Sequence, residues 1–232
     1  RCGVVTGVLT CALPILRTEL GREIRKAFVA SAGNVLVDAD YSQIELRLLA
    51  HMSGDEGMIR AFQEGDDIHR RTASEVFGVP FDEVTNAQRS AAKAVNFGIV
   101  YGISDFGLAR NLGITRREAA HYIELYFARY PGIHRYMLQS VEDGKRDGFV
   151  KTLMGRRREL PELRSSNYNT RSFGERVAMN MPIQGTAADI IKLAMVRVHE
   201  ALAREGLRAK LILQIHDELI IDTPAEEAER EI

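Results

Sequence analysis

Two aspartates stand where a predicted strand opens into a turn. Asp40 ends the β-branched run 35–40, and Asp217 lies between two apolar runs, 211–215 and 219–221, which are typical of hairpin arms. Carboxylates suit Mg²⁺, and two such ions about 3.5–4 Å apart can assist phosphoryl transfer. An aspartate at a strand end is also a common turn or cap residue, so both interpretations stay open.

The sequence at the predicted hairpin turn is polar. His216, Asp217 and Glu218 interrupt apolar sequence on both sides. Burying charge is costly unless the charge is paired or metal-bound. The pattern therefore favours a functional role as much as a structural one.

A stripe of basic and aromatic residues recurs at every fourth position of one predicted helix. Its members are Arg89, Lys93, Phe97 and Tyr101. They line a ridge about 18 Å long, with cations at one end and rings at the other. That order matches an extended nucleoside triphosphate. The alternative is a solvated basic pair followed by two core aromatics, which Gly98 and Gly102 weaken because they permit close approach of another chain or ligand.

Positive charge is concentrated in one segment of an otherwise balanced chain. Residues 145–176 carry nine basic and four acidic side chains, whereas the whole chain has a net charge of −1. This segment fits either a phosphate-backbone contact or a solvated surface. Nucleic-acid binding through bulk charge is excluded.

Composition and missing motifs exclude several classes of protein. The 232 residues, 45% apolar and 27% charged, indicate a soluble globular protein. No apolar run reaches the ~18–20 residues of a membrane span, so we expect no membrane association. The sequence motifs of P-loop ATPases, α/β-hydrolases and zincins are absent.

Strand and helix patterns predict an α+β fold, in which a small antiparallel sheet carries a large helical insertion. Thr85 and Thr115 begin capping-box patterns, and Pro131 and Pro182 are interpreted as helix boundaries. The predicted strands cover 35–40, 149–152, 157–160, 211–215 and 219–221. The predicted helices cover 43–53, 68–77, 86–100, 116–130, 133–147, 171–181 and 185–204.

The two ends of the sequence differ from the body. Residues 5–15 differ at one position from the translation of a common sequencing adapter, so we interpret 1–16 as a non-native lead. Both cysteines, Cys2 and Cys11, lie in that lead, and a cysteine-free body fits a reducing cytoplasm. Residues 225–231 are similar to the opening turns of a helix, so we expect the chain to be cut at both ends.

Three segments in order resemble motifs A, B and C of family-A DNA polymerases, the bacterial DNA polymerase I type. They are residues 40–47, the spaced residues of 89–102, and residues 214–218. Residues 67–70 and 182–189 are also similar to that family. The resemblance extends from about residue 17 to the end of the chain.

The resemblance implies template-directed DNA synthesis with two Mg²⁺ ions. Asp40 and Asp217 would hold the ions, with the Tyr41 carbonyl as a further ligand and Glu218 nearby. The primer 3′-hydroxyl would then attack the α-phosphate of a dNTP. We therefore expect folding to bring Asp40 and Asp217 together.

The resemblance also assigns residues to the incoming nucleotide. Phe97 would stack on it, Tyr101 would lie beside the template base, and Glu45 would block a ribose 2′-hydroxyl. Lys93 would also supply a proton to the leaving pyrophosphate. The residues implied to grip the triphosphate are Gln43, His69, Arg89 and Lys93.

A further set would contact primer–template DNA. The residues implied to line its minor groove and the primer terminus are Arg176, Asn180, Gln184 and His216. The implied partners are DNA and dNTP, and we expect a monomer in the bacterial cytoplasm, associated with the nucleoid.

The implied domains are a palm at 17–53 and 148–232, truncated at its C-terminus, and fingers at 54–147 with the motif B helix at 86–101. The resemblance leads us to expect a thumb and a Thr-Gly-Arg segment upstream in the parent, so the activity of the fragment alone stays an open question. Two alternatives stay open: a non-catalytic DNA-binding remnant and a single-subunit phage-type RNA polymerase. Glu45 argues against the latter, because a ribonucleotide enzyme should not keep a bulky acid at that position.

Overall fold

The computed structural model describes residues 2–5 and 26–230, so most of the predicted lead, including Cys11, lies outside the described residues. The chain divides into two compact units. The first unit contains residues 1–44 and 188–232, and the second contains residues 45–187. These boundaries differ from the predicted palm and fingers boundaries, and that functional division stays a prediction.

The first unit is built on a four-stranded antiparallel sheet in the order β1-β2-β6-β5. Alternate residues of its central strands enter different clusters: Val37 and Ile221 pack with Leu202, whereas Leu36 and Ile220 pack with Leu213. This is the period of two expected of a sheet buried on both faces. The strands are β1 (Cys2–Val5), β2 (Asn34–Asp40), β5 (Lys210–Ile215) and β6 (Glu218–Pro224).

The second unit is mainly helical and has a two-stranded hairpin of β3 (Phe149–Lys151) and β4 (Arg157–Glu159). Its core contains fully buried large side chains, among them Leu46, Met58 and Tyr126. The described α-helices are α1 (Ile44–Ser53), α2 (Glu56–Gln63), α3 (Ile68–Phe77), α4 (Asn86–Val100), α5 (Asp105–Leu112), α6 (Arg116–Arg129), α7 (Pro131–Asp147) and α8 (Tyr168–Arg204). The boundaries between the two units lie within α1 and α8. Short 3₁₀ helices cover Phe81–Glu83, Pro161–Arg164 and Ala228–Arg230.

The α+β prediction is confirmed, and capping explains why several helix boundaries were correct. Thr85 and Thr115 each form the predicted capping box, and α4 begins and ends at the predicted residues. The prediction missed α2 and α5, two eight-residue helices that are capped by Asp55 and Ser104. Asp55 and Ser104 were the signals available in the sequence, because both residue types are favoured at helix N-caps.

The interpretation of Pro182 as a helix boundary was wrong. Helix α8 continues through it, whereas Pro131 does begin α7. A proline removes one backbone hydrogen bond from the helix. Buried side chains on both sides of it, among them Ala178, Ile183 and Ala187, outweigh that loss because an interrupted helix would expose them.

Within the described residues, no helix combines the length and the apolar character needed to cross a membrane.

Candidate active site

The first unit brings the two predicted metal-binding aspartates together. Asp40 lies opposite Glu218 in the pairing of β2 with β6. The Tyr41 backbone N–H donates to the Asp217 carbonyl at 3.1 Å. The ends of the two strands are therefore joined where each aspartate begins its turn.

Both turns contain a residue with left-handed backbone. Gln43, before α1, has φ 59°, and His216, in the hairpin turn, has φ 52°. Non-glycine residues rarely adopt this conformation, and such strain is concentrated at functional sites. The Gln214 side chain donates to the His216 carbonyl at 2.6 Å and stabilises the hairpin turn.

The hairpin turn is shorter than the sequence suggested. Ile215 pairs with Glu218, so His216 and Asp217 form a two-residue turn and Glu218 is the first residue of β6. Such turns need positive φ, which His216 supplies. Asp217 is thus fixed at the tip by strand pairing on both sides.

Like charges are crowded at this end of the sheet. Burial raises the pKa of Asp40, and the nearby carboxylates of Asp217 and Asp38 raise it further. The pKa of Asp38 is raised by burial as well. Its Oδ1 atom is buried and finds no hydrogen-bond partner within residues 2–5 and 26–230. The cluster therefore favours a bound cation, which would offset this repulsion.

Sequence reasoning missed Asp38. The available signal was its position two residues before Asp40, because residues i and i+2 of a strand lie on one face.

The donor set fits Mg²⁺ better than a transition metal. In the described part of the chain, no group of three or more His, Cys, Asp and Glu side chains is arranged to hold a metal ion. Mg²⁺ commonly uses one or two carboxylates and completes its shell with waters and substrate phosphates. Asp40, Asp217 and the Tyr41 carbonyl suffice for such a site.

In the second unit, Asp67 connects α3 with the predicted triphosphate-binding stripe. Its side chain caps α3 by accepting from the backbone N–H groups of His69 and Arg70 at 3.0 and 3.1 Å. The same carboxylate accepts from Arg89 Nε at 2.6 Å. The Arg89 hydrogen bond helps to hold the pKa of Asp67 below its ordinary value, although burial acts in the opposite direction. Asp67 therefore positions Arg89 beside the start of α3.

His69, Lys93 and Phe97 form the centre of this surface. The rings of His69 and Phe97 have centroids 5.7 Å apart, and Lys93 Nζ lies 5.9 Å from the Phe97 centroid. Burial lowers the pKa of His69 to about 4, and the positive charges of Lys93 and Arg89 act in the same direction. His69 is therefore neutral at physiological pH.

Tyr101 and Glu45 are joined directly. The Tyr101 hydroxyl donates to Glu45 Oε2 at 2.8 Å. Tyr101 caps the C-terminus of α4, and Glu45 lies in the first turn of α1. This bond fixes the position of the carboxylate that the sequence predicts to block a 2′-hydroxyl.

The two glycines of the stripe admit neighbouring side chains of the same chain. A Cβ at Gly98 would lie 2.7 Å from Ile103 Cγ2. At Gly102, with φ 64°, it would lie 2.9 Å from Met179 Cε and 3.1 Å from Arg176 Cγ. Close approach at both glycines occurs within this chain, and the approach of another chain or ligand stays a prediction.

Three predicted DNA contacts lie on α8. Arg176, Asn180 and Gln184 are spaced by four residues, which places them along one side of the helix. Arg176 also lines a pocket with Phe97 and Tyr101. The Asn180 Oδ1 atom is buried without a hydrogen-bond partner in the part of the chain that is described.

The basic segment 145–176 is partly neutralised by its own carboxylates. Arg146 pairs with Asp143 and Asp147, and Lys145 pairs with Glu142 and Glu175. Arg157 and Arg158 also form ion pairs, with Glu159 and Glu162. Of these partners only Glu142 and Asp143 lie outside the segment, so they alone lower its excess of basic over acidic side chains.

The predicted site residues fall into two sets, one in each unit. Those of the first unit are Asp40, Tyr41, Gln43, His216, Asp217 and Glu218. Those of the second unit are Glu45, His69, Arg89, Lys93, Phe97, Tyr101, Arg176, Asn180 and Gln184.

Comparison with known sequences gives consistent matches. The profile of DNA polymerase family A matches residues 4–231. DNA polymerase I of Lactococcus lactis subsp. lactis is 57% identical over 213 residues, which are 91% of this chain and 24% of that protein. DNA polymerase I of Geobacillus stearothermophilus is 57% identical over 216 residues, which are 93% of this chain and 25% of that protein. The chain thus spans about a quarter of the length of these relatives.

A third relative aligns with nearly the whole chain. DNA polymerase I of Caldicellulosiruptor bescii is 53% identical over 232 residues, which are 98% of this chain and 27% of that protein. The aligned region therefore includes part of the segment 1–16. The interpretation of that segment as a non-native lead stays a prediction.

A solved structure has the same fold. The polymerase domain of Pol1 from M. smegmatis, described as a complex with DNA primer-template and dNTP, superposes with a TM-score of 0.87. It is 48% identical, and the match covers 92% of this chain and 38% of that chain.

Proposed function

The chain belongs to DNA polymerase family A, and from this membership we propose that it is part of an enzyme that synthesises DNA on a template. The proposed reaction transfers a nucleotide from a dNTP to the 3′-hydroxyl of a primer. The substrates are those held by the M. smegmatis polymerase domain, which is described with primer-template and dNTP.

The observation that supports this function most is the surface formed by α3 and α4. Arg89 and Lys93 present cations, and the Phe97 ring lies next to Lys93 and His69. The phosphates of a nucleoside triphosphate need cations and hydrogen-bond donors, and its base and sugar need a flat ring to lie against. One surface provides both.

We assign the metal-binding role to Asp40, Asp217 and the Tyr41 carbonyl, with Glu218 beside them. When bound there, Mg²⁺ lowers the pKa of the primer 3′-hydroxyl and stabilises the pyrophosphate that leaves. The family uses divalent metals, and two ions are the count that we propose. Strand pairing and a backbone hydrogen bond fix the main chain at both aspartates.

The residues around the nucleotide have distinct proposed roles. Arg89 and Lys93 stabilise the charge that develops on the phosphates, and Lys93 supplies a proton to pyrophosphate. Gln43 and His69 donate hydrogen bonds. Phe97 stacks on the nucleotide, Tyr101 lies beside the template base, and Glu45 excludes ribonucleotides.

We propose that Arg176, Asn180, Gln184 and His216 contact the minor groove and the primer terminus. The minor groove presents a degenerate pattern of donors and acceptors, which suits an enzyme that accepts every sequence. We further propose that the protein acts as a monomer in the bacterial cytoplasm at the nucleoid. Residues 54–147 act as fingers, and 17–53 with 148–232 act as palm.

Primer extension with Mg²⁺ tests this proposal in the full-length parent protein. Asp40→Ala and Asp217→Ala should each abolish extension, because either change removes a metal ligand. Asp82→Ala, which removes an exposed carboxylate of the 3₁₀ helix Phe81–Glu83, is the matched control. Extension that survives both active-site changes would show that the mechanism is wrong.

A further inference from the structure

A fully buried amide joins α3 to α4 behind the proposed nucleotide surface. Asn96 is 0% exposed, although it lies on the apolar side of α4 between Val95 and Phe97. Its Nδ2 atom lies 3.1 Å from His69 Nδ1 and 3.1 Å from Thr72 Oγ1. A buried amide of this kind is costly unless its hydrogen bonds are made, so its contacts specify an arrangement.

Thr72 determines which way the Asn96 amide points. The Thr72 hydroxyl donates its one proton to the Ile68 carbonyl at 2.8 Å. Its oxygen is then an acceptor, which requires the NH₂ group of Asn96 on that side. The contact from Thr72 Oγ1 to Asn96 Oδ1 is longer, at 3.3 Å.

The amide orientation in turn determines the protonation of the histidine. The second proton of Asn96 Nδ2 points to His69 Nδ1, so that nitrogen must accept and carries no proton. A neutral imidazole with an unprotonated Nδ1 has its proton on Nε2. Within the described ranges, the bond to Asn96 is the one hydrogen bond that the His69 ring makes.

Burial is the main reason that His69 stays neutral, and the charges around it act in both directions. On the side of α4, Arg89 and Lys93 disfavour a third positive charge. On the side of α3, Asp67 favours protonation, but its carboxylate is occupied by Arg89 and by the cap of α3. Burial of the ring, which is 3% exposed, adds to the effect of the cations.

We propose that Asn96 is a positioning residue that fixes His69 as a neutral Nε2–H donor, so that His69 offers a phosphate oxygen a hydrogen bond and not a charge. The part of this inference that concerns phosphate rests on the proposed function. The part that concerns the tautomer rests on the geometry alone. Arg89 and Lys93 then carry the positive charge of the surface, and binding through His69 is insensitive to pH in the neutral range.

The tautomer is tested by nitrogen NMR of the 232-residue chain labelled with ¹⁵N at histidine. The His69 signals are identified by their loss in His69→Gln. At pH 7 we expect an unprotonated Nδ1 and a protonated Nε2. Thr72→Val removes the hydroxyl that orients the amide and should give a mixture of tautomers. A wild-type ring with its proton on Nδ1 would overturn the proposal, even if Thr72→Val fails to fold.

The hydrogen-bonding role is tested by dNTP affinity as a function of pH, measured with primer–template in the full-length protein. Asn96→Asp replaces the donor with a carboxylate, which holds a proton on Nδ1 and favours the imidazolium. When the His69 ring of this variant is neutral, its proton is on Nδ1, and the lone pair of Nε2 would point at the phosphate. We therefore expect the ratio of variant to wild-type affinity to fall on the order of tenfold between pH 6 and pH 8.5.

Asn86→Asp is the matched control, because it makes the same substitution at an exposed position of the same helix. Its affinity ratio should not depend on pH. A constant ratio for Asn96→Asp would overturn the hydrogen-bonding role. Failure of the wild type to bind dNTP at any pH would instead overturn the proposed function, and the NMR result would still decide the tautomer.

Discussion

At the scale of single residues, the main feature of the turns that follow β2 and β5 is a group of carboxylates that are partly buried and close to one another. Asp38 and Asp40 lie two residues apart on β2, and Asp217 lies in the adjoining turn. Both burial and like charge raise the pKa of Asp40. A group of this kind destabilises the metal-free fold, as is common where a site is arranged for a ligand.

The pH dependence follows from the direction of that shift. Because the folded protein binds the Asp40 proton more tightly than the unfolded chain does, stability falls as the pH rises from the ordinary value of 3.8 through the raised pKa. In the metal-free chain at neutral pH, Asp40→Asn should therefore raise the midpoint of thermal unfolding by about 1 to 2 °C.

Millimolar Mg²⁺ should reverse this order, because the ion stabilises the wild type and not Asp40→Asn. Scanning calorimetry with and without Mg²⁺ measures both effects, with Asp82→Asn as the control. A lower midpoint for Asp40→Asn without metal would contradict the assignment of repulsion.

The hydrogen bond between Glu45 and Tyr101 leads to a prediction about substrate choice. Glu45→Ala should raise the efficiency of ribonucleotide use relative to deoxyribonucleotide use on the order of 100-fold, because the side chain that we propose to exclude the 2′-hydroxyl is lost. Competing both nucleotides in one primer-extension assay measures the ratio.

Tyr101→Phe is the companion variant, because it removes the hydrogen bond but keeps Glu45. It should raise the ratio less, since Glu45 is then present but less well fixed. A wild type that prefers ribonucleotides would favour the RNA polymerase alternative over the proposed function.

At the scale of elements, the C-terminus of α4 is a tightly constrained junction. The helix ends at Val100, and Gly102 then adopts the left-handed conformation. The Ile103 N–H returns to the Gly98 carbonyl at 2.8 Å. A left-handed residue followed by a back-bonded residue is a common helix terminus. At this terminus it also places the backbone against Arg176 and Met179 of α8.

Gly102→Ala should therefore cost more than backbone strain alone. The strain of an alanine at positive φ is about 1 to 2 kcal/mol, and the contacts at 2.9 and 3.1 Å add to it. Gly113→Ala is the matched control, because Gly113 ends α5 with φ 66° and has nothing within 4 Å of its would-be Cβ.

Urea unfolding of both variants separates the two contributions. We expect Gly102→Ala to lose about 1 to 2 kcal/mol more than Gly113→Ala. Equal losses would show that Met179 and Arg176 move aside at little cost.

At the scale of the whole molecule, charge is balanced overall and organised locally. The chain has 31 basic and 32 acidic side chains, and several cations of the basic segment are held in ion pairs within it or with Asp143 beside it. Non-specific attraction to DNA should therefore be weak. Binding must then depend on the specific surfaces described above.

This distribution distinguishes the catalytic interpretation from a DNA-binding remnant. Fluorescence anisotropy of a labelled primer–template should show affinity that falls with salt and rises about tenfold when Mg²⁺ and the matching dNTP are added. The reason is that Arg176, a proposed DNA contact, lines one pocket with Phe97 and Tyr101, which are proposed nucleotide contacts. A dNTP that does not match the template is the control. A remnant would show the same salt dependence with no response to metal or nucleotide.

The sequence by itself determined the local features of this protein. Each of these features involves residues close in sequence, so short-range rules suffice to find it. The features are the capping boxes at Thr85 and Thr115, the four-residue spacing of the stripe on α4, and the polar hairpin turn. The fold class followed from the same local periods. Three motifs in order then identified the family.

Only the tertiary structure decided features that depend on residues far apart in sequence. It continued α8 through Pro182, brought Asp38 beside Asp217, and placed Asn96 against His69 and Thr72. A single sequence does not show which helices pack against each other. From the sequence alone, Asn96 therefore cannot be distinguished from a solvent-exposed polar residue of α4. Its burial and its hydrogen bonds to His69 and Thr72 give this amide its distinct role, because both arise only when α3 and α4 pack together.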